Sequence, residues 1–290
     1  MAFGGSRVIL VSIMHSTPDN RRLMPSSMRR ISKLLLAGPL VAALLVGCSL
    51  LPEKIDETQG WSVQQLYSEA KDSMSSGNYK TAIEYLDKIQ ARYPFGRYAQ
   101  QAQIDTIYCQ YKDNEPDAAI AAADRFIKAN PRHPYVDYAY YMKGLANFNR
   151  SNGLLERLAP TDRDKTDTNT ARQAYSDFAE LARKFPDSKY AEDARQRMLF
   201  LHNSLAAYEI NVANFYLRRG AYVAALNRAT YVLKTYSRTP AAEDALSIMT
   251  QAYIKMDMPQ LANDSLRVLE HNYPQSPELP KLNALLKGTG

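Results

Sequence analysis

Glycine and cysteine are both scarce in this 290-residue chain, with 12 of the first and two of the second. So little glycine excludes a collagen-like or low-complexity polymer, and two cysteines exclude a disulfide scaffold. Signatures of catalysis are missing too. There is no Gly-x-Ser-x-Gly, phosphate-binding loop, His-Glu-x-x-His or Cys-x-x-Cys. The histidines after residue 47 are His133, His202 and His271, far apart and without a paired ligand. Asp162, Asp164 and Asp167 lack the glycine and terminal glutamate of a calcium loop, and Arg163 and Lys165 offset them. The sequence is therefore expected to hold no metal or cofactor and to be no enzyme. Nor is there an apolar run long enough to cross a membrane: Leu34 to Val46 is too short.

The formal net charge of +6 is mostly a property of the first 47 residues. They hold six basic residues and one acidic residue, which leaves 30 basic and 29 acidic from Cys48 onward. A chain so balanced has no bulk electrostatic attraction to polyphosphate, so nucleic acid is not an expected partner. Cys109 lies in an apolar helical pattern and reads as a small core residue.

Residues 28–47 read as a lipoprotein signal peptide. Arg29, Arg30 and Lys33 supply the positive start, Leu34–Val46 the apolar stretch, and Leu45-Val-Gly-Cys48 a lipobox. Small residues before the cleavage point and a thiol after it are what lipid transfer requires. Cys48 is thus the expected site of a covalent diacylglycerol and an N-acyl chain, which together anchor firmly. Ser49, in place of the Asp that marks inner-membrane retention, favours the outer membrane, with the chain facing the periplasm. Residues 1–27 do not suit a leader, and translation is expected to start at Met28 or Met24. Residues 48–61, with Pro52 and Gly60, read as a lipidated tether. Trp61 either staples the first helix or sits at a partner surface.

From Ser62 to Pro274 one pattern recurs. An apolar-periodic helix leads through a turn to an Ala- and Leu-rich helix that ends at an aromatic residue, a Pro or a polar turn. Pro94 to Pro131 and Tyr236 to Tyr273 are each 37 residues apart, close to the roughly 34-residue tetratricopeptide unit. Gly77 and Gly220 suit the tight turn, and Ala82 and Ala225 let paired helices approach. Pro94, Pro131, Pro186 and Pro274 stop second helices, while Pro116 and Pro259 open them. The expected fold is an all-α solenoid of about five tetratricopeptide-type hairpins, with residues 275–290 as a tail. Two spacings are long: Phe185 follows Asn130 by 55 residues and Tyr236 follows Phe185 by 51. The first excess is assigned to a polar loop, Arg150–Asn169, either a partner contact or an idle insertion. The second, free of Gly and Pro, is assigned to a lengthened first helix in repeat four.

A stack of hairpins buries each apolar face against its neighbours and leaves a groove that suits peptides or partner helices. Repeat geometry nominates Tyr67, Arg97, Tyr98, Tyr108, Tyr111, Tyr138 and Tyr141, all on first helices of the N-terminal repeats. Within the cluster Tyr135, Tyr138, Tyr140 and Tyr141, at least half is expected in the core.

Several strings are more specific than any repeat consensus: Arg92-Tyr-Pro-Phe-Gly96, Asn130-Pro-Arg-His-Pro134, Asp137-Tyr-Ala-Tyr-Tyr-Met-Lys-Gly-Leu145, Tyr208-Glu-Ile-Asn-Val-Ala213 and Arg219-Gly-Ala-Tyr-Val223. By these the chain resembles the BamD lipoprotein family of the β-barrel assembly machinery, from Cys48 to about Pro274. The resemblance implies an adaptor. Its C-terminal repeats would hold the periplasmic domains of a barrel-forming insertase, and its N-terminal repeats would bind the aromatic signal of unfolded outer-membrane proteins. Accessory lipoproteins would dock as well. It also implies that Arg219, which precedes the glycine of repeat four, contacts the insertase; the other reading is a cation at a helix C-terminus. The competing function is a pilotin-like lipoprotein that delivers a secretin, which would share the lipobox and the repeats but not these strings.

Overall fold

A computed structural model describes residues 56–155 and 165–288. The leader, Cys48 and the tether up to residue 55 lie outside the described residues. The chain divides into a unit ending at Gln59 and a unit starting at Gly60. Of the first, only a turn at 56–59 is described, in which Thr58 donates from its backbone and its hydroxyl to Asp56.

The described part of the second unit is helical throughout. Its helices are α1 (Val63–Ser75), α2 (Tyr79–Arg92), α3 (Arg97–Lys112), α4 (Pro116–Ala129), α5 (Val136–Leu155), α6 (Lys165–Lys184), α7 (Ala191–Arg218), α8 (Tyr222–Thr235), α9 (Ala241–Lys255), α10 (Pro259–Asn272) and α11 (Leu279–Lys287). Successive helices pack on each other, and first helices also meet the next first helix, α5 reaching α7 through Phe148 against Phe200 and Tyr141 against Asp193. This is the tetratricopeptide-type solenoid: five hairpins and one further helix.

Local chemistry explains the repetition. Helices α2, α4, α6 and α10 each stop two residues before Pro94, Pro131, Pro186 and Pro274, because the residue preceding a proline is forced out of helical geometry. At all five second-helix ends the next N–H (Tyr93, Asn130, Phe185, Tyr236, Tyr273) still donates to the carbonyl four residues back, at 2.7–2.8 Å. The turns within hairpins share a different device. Gly77 and Gly220 have φ of 79° and 75°, and Asn114 and Asp257 take the same left-handed place at 60° and 57°. The following N–H groups (Asn78, Glu115, Ala221, Met258) close Schellman bonds to Ser73, Gln110, Tyr216 and Tyr253. Asn and Asp tolerate this conformation better than other non-glycine residues, so two repeats make the turn without glycine.

Two sequence expectations are corrected. The loop assigned to Arg150–Asn169 is mostly helix: α5 continues to Leu155 and α6 begins at Lys165, and only 156–164 lie outside the described residues. Polar, charged side chains suit the exposed face of a long helix as well as a loop, so composition misplaced the ends. The segment 275–290, read only as a tail, contains a further helix. It forms α11, whose Leu282 is fully buried with Leu246, Leu266 and Leu269. It packs on α9 and α10 and covers their apolar surface as a neighbouring repeat does elsewhere in a solenoid. The long spacing in repeat four is a single 28-residue helix, α7.

The core runs through the hairpins in three clusters. Leu66, Leu86 and Ile89 fill the first repeat. Phe126, Phe178, Leu181, Leu201 and Val232 belong to a longer cluster through the middle repeats. Ala82 and Ala225 are fully buried. Trp61 stacks on Tyr85 (centroids 6.0 Å apart) and its carbonyl accepts from the Tyr93 hydroxyl at 3.0 Å, which fastens the start of the hairpin. Among the described residues no helix is long and apolar enough to cross a membrane.

Candidate functional site: an aromatic groove on the first helices

Helices α1, α3 and α5, with the residue preceding α7, line a groove enclosing a cavity of about 490 Å³. Lys71, Met74 and Ser75 come from α1, and Gln101, Ile104, Asp105 and Tyr108 from α3. Tyr138 comes from the start of α5, Tyr135 from the turn just before it, and Tyr190 from the turn before α7. The α3 contribution follows helical spacing, since 101, 104, 105 and 108 share one face.

The floor of the groove is a polar knot set among rings. Asp105 is buried and accepts from the Tyr67 hydroxyl at 2.9 Å and from Gln101 Nε2 at 3.2 Å, with Lys71 Nζ 3.7 Å away. Burial, then the neighbouring Asp105 charge, push the Tyr67 hydroxyl well above the usual tyrosine range. Tyr138 is raised in the same way by burial and by Tyr190. Tyr141 is pushed up to about 12 by burial and by its 2.7 Å bond to Asp193. These hydroxyls therefore stay protonated donors at neutral pH. Tyr190 stacks on Tyr141 (4.7 Å, 16°) and tilts against Tyr138 (5.5 Å), so the wall of the groove is held before any ligand arrives.

Of the residues nominated from sequence, Tyr108 and Tyr138 line the cavity. Tyr67 and Tyr141 stand behind the lining, through Asp105 and Tyr190. Tyr98 packs edge-on against Tyr67 (5.4 Å), and the exposed Arg97 lies over Tyr98 at 5.1 Å. Tyr111 is elsewhere, near the far end of α3, where it accepts from Asn149 at 2.7 Å. In the tyrosine cluster Tyr140 is core, Tyr138 and Tyr141 are half-buried, and Tyr135 is exposed. Sequence reasoning missed Lys71, Gln101, Asp105 and Tyr190. The period shared with Tyr108 could have found Gln101 and Asp105; Tyr190 lies in a turn and gave no periodic signal.

Cys109, behind this wall, is fully buried, and burial followed by the Asp105 charge pushes its thiol up to about 12. It is an inert core residue. Arg219 sits at the C-terminal cap of α7, exposed, with its guanidinium 4.6 Å from the Phe215 ring centroid. Deeper in the same repeat, Glu209 of α7 is buried and bridges Arg172 of α6 (3.3 Å) to Arg228 of α8 (2.9 Å). That bridge fixes three consecutive helices. No group of three His, Cys, Asp or Glu side chains among the described residues is arranged to hold a metal ion.

Chemically the groove offers aromatic faces for apolar or aromatic side chains, Gln101 and Ser75 for a peptide backbone, and Lys71 as a cation at its rim. These features define a tetratricopeptide-type repeat protein with a preformed cleft of peptide dimensions. The profile of the family described as YfiO, outer membrane lipoprotein, matches residues 60–269. The outer membrane protein assembly factor BamD of Neisseria meningitidis serogroup B is 47% identical over 222 residues, covering 77% of this chain and 83% of the relative. The protein of the same name from Vibrio cholerae serotype O1 is 38% identical over 237 residues, covering 82% and 97%. That from Haemophilus influenzae is 36% identical over 245 residues, covering 84% and 92%. The chain belongs to this family, the YfiO or BamD outer membrane lipoproteins.

Proposed function

We propose that this chain is a lipid-anchored scaffold of the β-barrel assembly machinery, working at the periplasmic face of the outer membrane. The observation that carries the reading is a preformed aromatic groove on the first helices of a family whose members are named as outer membrane protein assembly factors. Acyl chains on Cys48 hold it at the membrane. The groove takes an extended, aromatic-bearing segment of an unfolded outer-membrane protein. The C-terminal repeats, with Arg219 exposed at a helix end, hold the periplasmic domains of the insertase, and accessory lipoproteins dock on the remaining surface. The family match and the strings that carry it favour this role over delivery of a secretin.

The test is a detergent pull-down through the native lipid anchor, with mass spectrometry of what co-elutes. A barrel protein with periplasmic repeat domains is expected, together with small lipoproteins. Arg219→Glu is expected to lower insertase recovery several-fold without changing the thermal midpoint, because the side chain is exposed. Recovery of a secretin and no insertase would overturn the reading.

A further inference from the structure

Phe95 is 90% exposed, more than any other large apolar side chain among the described residues. It sits in the turn between α2 and α3. Successive helices alternate in direction, so turns between repeats share one edge of the stack and turns within hairpins share the other. The Tyr93–Trp61 bond places the Phe95 turn beside the point where the chain enters the second unit. Basic side chains collect on this end of the edge: Arg97 opens α3, Lys128 lies in the last turn of α4, and Arg132 follows it. Asn130 bonds Gln100 and Gln103, which keeps the second turn against the start of α3. Helices α1 and α3 carry no acidic residue in their first turns, whereas α5, α7 and α9 begin with Asp137, Glu192 with Asp193, and Glu243 with Asp244. The turn that holds Phe95 therefore lacks the first-turn acids of later repeats, and the first of those acids, Asp137 beyond Arg132, accepts from the Ser188 hydroxyl at 2.7 Å.

We propose that this edge, centred on Phe95, lies against the lipid headgroups of the membrane that holds Cys48, and so orients the stack. The inference rests on the lipid anchor of the preceding section. An exposed ring flanked by cations is the composition of an interfacial contact, with the ring at the headgroup–acyl boundary and the cations on anionic phosphates. Such a contact is weak alone. Cys48 stands 13 residues before Trp61, and a chain of that length reaches no farther than about 45 Å. The tether thus holds the edge at a high effective concentration near the bilayer, where weak contacts suffice. The other large exposed apolar residue at this end, Tyr135, faces the groove, which leaves Phe95 isolated. A lone ring among cations suits lipid better than the broad apolar core of a protein interface.

The experiment uses the full mature chain with its lipid, reconstituted into vesicles of phosphatidylethanolamine with a minority of phosphatidylglycerol, some acyl chains brominated near the headgroup. Trp61→Phe removes the native tryptophan and keeps the stack on Tyr85. In that background Phe95→Trp is compared with Val223→Trp, which is exposed at the opposite edge. Fluorescence of the Phe95→Trp protein is expected to be quenched at least about twofold more than that of the Val223→Trp protein, a depth consistent with an interfacial ring. Adding Arg97→Glu and Arg132→Glu is expected to remove most of that difference. Equal quenching in a protein whose lipid is verified by mass would overturn this proposal and leave the anchor standing. A Phe95→Trp spectrum that responds only to added insertase domains would likewise overturn it and assign Phe95 to a protein contact. Absence of lipid mass on Cys48 would remove the anchor and this proposal with it.

Discussion

At position 144 only a hydrogen fits. A Cβ there would stand 2.6 Å from Cε1 and 2.7 Å from Cδ1 of Phe178, a fully buried ring. Replacing a helical Gly by Ala gains about 1 kcal/mol of propensity, but overpacking a full core costs about 1–3 kcal/mol. Gly144→Ala is therefore expected to be net destabilising in chemical denaturation; a stabilised variant would show that the ring can yield. The sequence shows a glycine inside a helical pattern but not why, because its partner is 34 residues away on another helix. Asp193 supports a pH prediction. Burial raises its carboxyl, but the hydrogen bonds from Arg197 and Tyr141 and the Arg197 charge more than offset that, so its folded pKa is lowered. A depressed carboxyl contributes stability above its unfolded pKa, near 4, and loses it as pH falls through the folded value. The stability gap between wild type and Asp193→Asn is expected to be constant from neutrality down to about pH 4 and to shrink below it. A gap that widened in acid would contradict the assignment.

Among the helices, what the sequence made legible and what it hid follow from one difference. Proline positions and left-handed turns are local, so the ends of α2, α4 and α10 and the turns at Gly77 and Gly220 could be read from residue type. The role of α11 depends on contacts with α9 and α10; Leu279, Leu282, Leu285 and Leu286 follow helical spacing, but the sequence does not say what they pack against. Leu282 is its single fully buried side chain. Leu282→Ala is expected to cost about 2–4 kcal/mol and to raise hydrogen exchange first in α9 and α10, since solenoid repeats are stabilised by nearest neighbours. Uniform exchange along the stack would argue against a capping helix. The extent of α5 and α6 was misread for a related reason: a polar composition is compatible with a loop or with a helix, and only tertiary packing decides where α5 ends and α6 begins.

For the whole molecule, stacking turns separate sequence strings into one cleft. Tyr108, Tyr138 and Tyr190 lie on or beside three different helices, and Asp105 ties Tyr67 into the same wall. Tyrosines on first helices were readable as a class. Their division into lining, support and core was not, because it depends on how successive first helices are offset. Glu209, bridging Arg172 and Arg228, shows that buried charge as well as apolar packing ties one repeat to the next. On the proposed function, the groove near the N-terminal repeats and Arg219 in the fourth would give an unfolded client and an insertase separate places on one stack.

The most direct test of that account is site-specific photo-crosslinking in the full lipidated chain with an unfolded outer-membrane barrel protein. A photoreactive residue would replace Ser75 or Tyr135, both exposed and lining the groove, or Val268, exposed on α10. Client adducts are predicted from Ser75 and Tyr135 and not from Val268. Adducts from Val268 with none from either groove position would contradict the assignment of the groove as the client site.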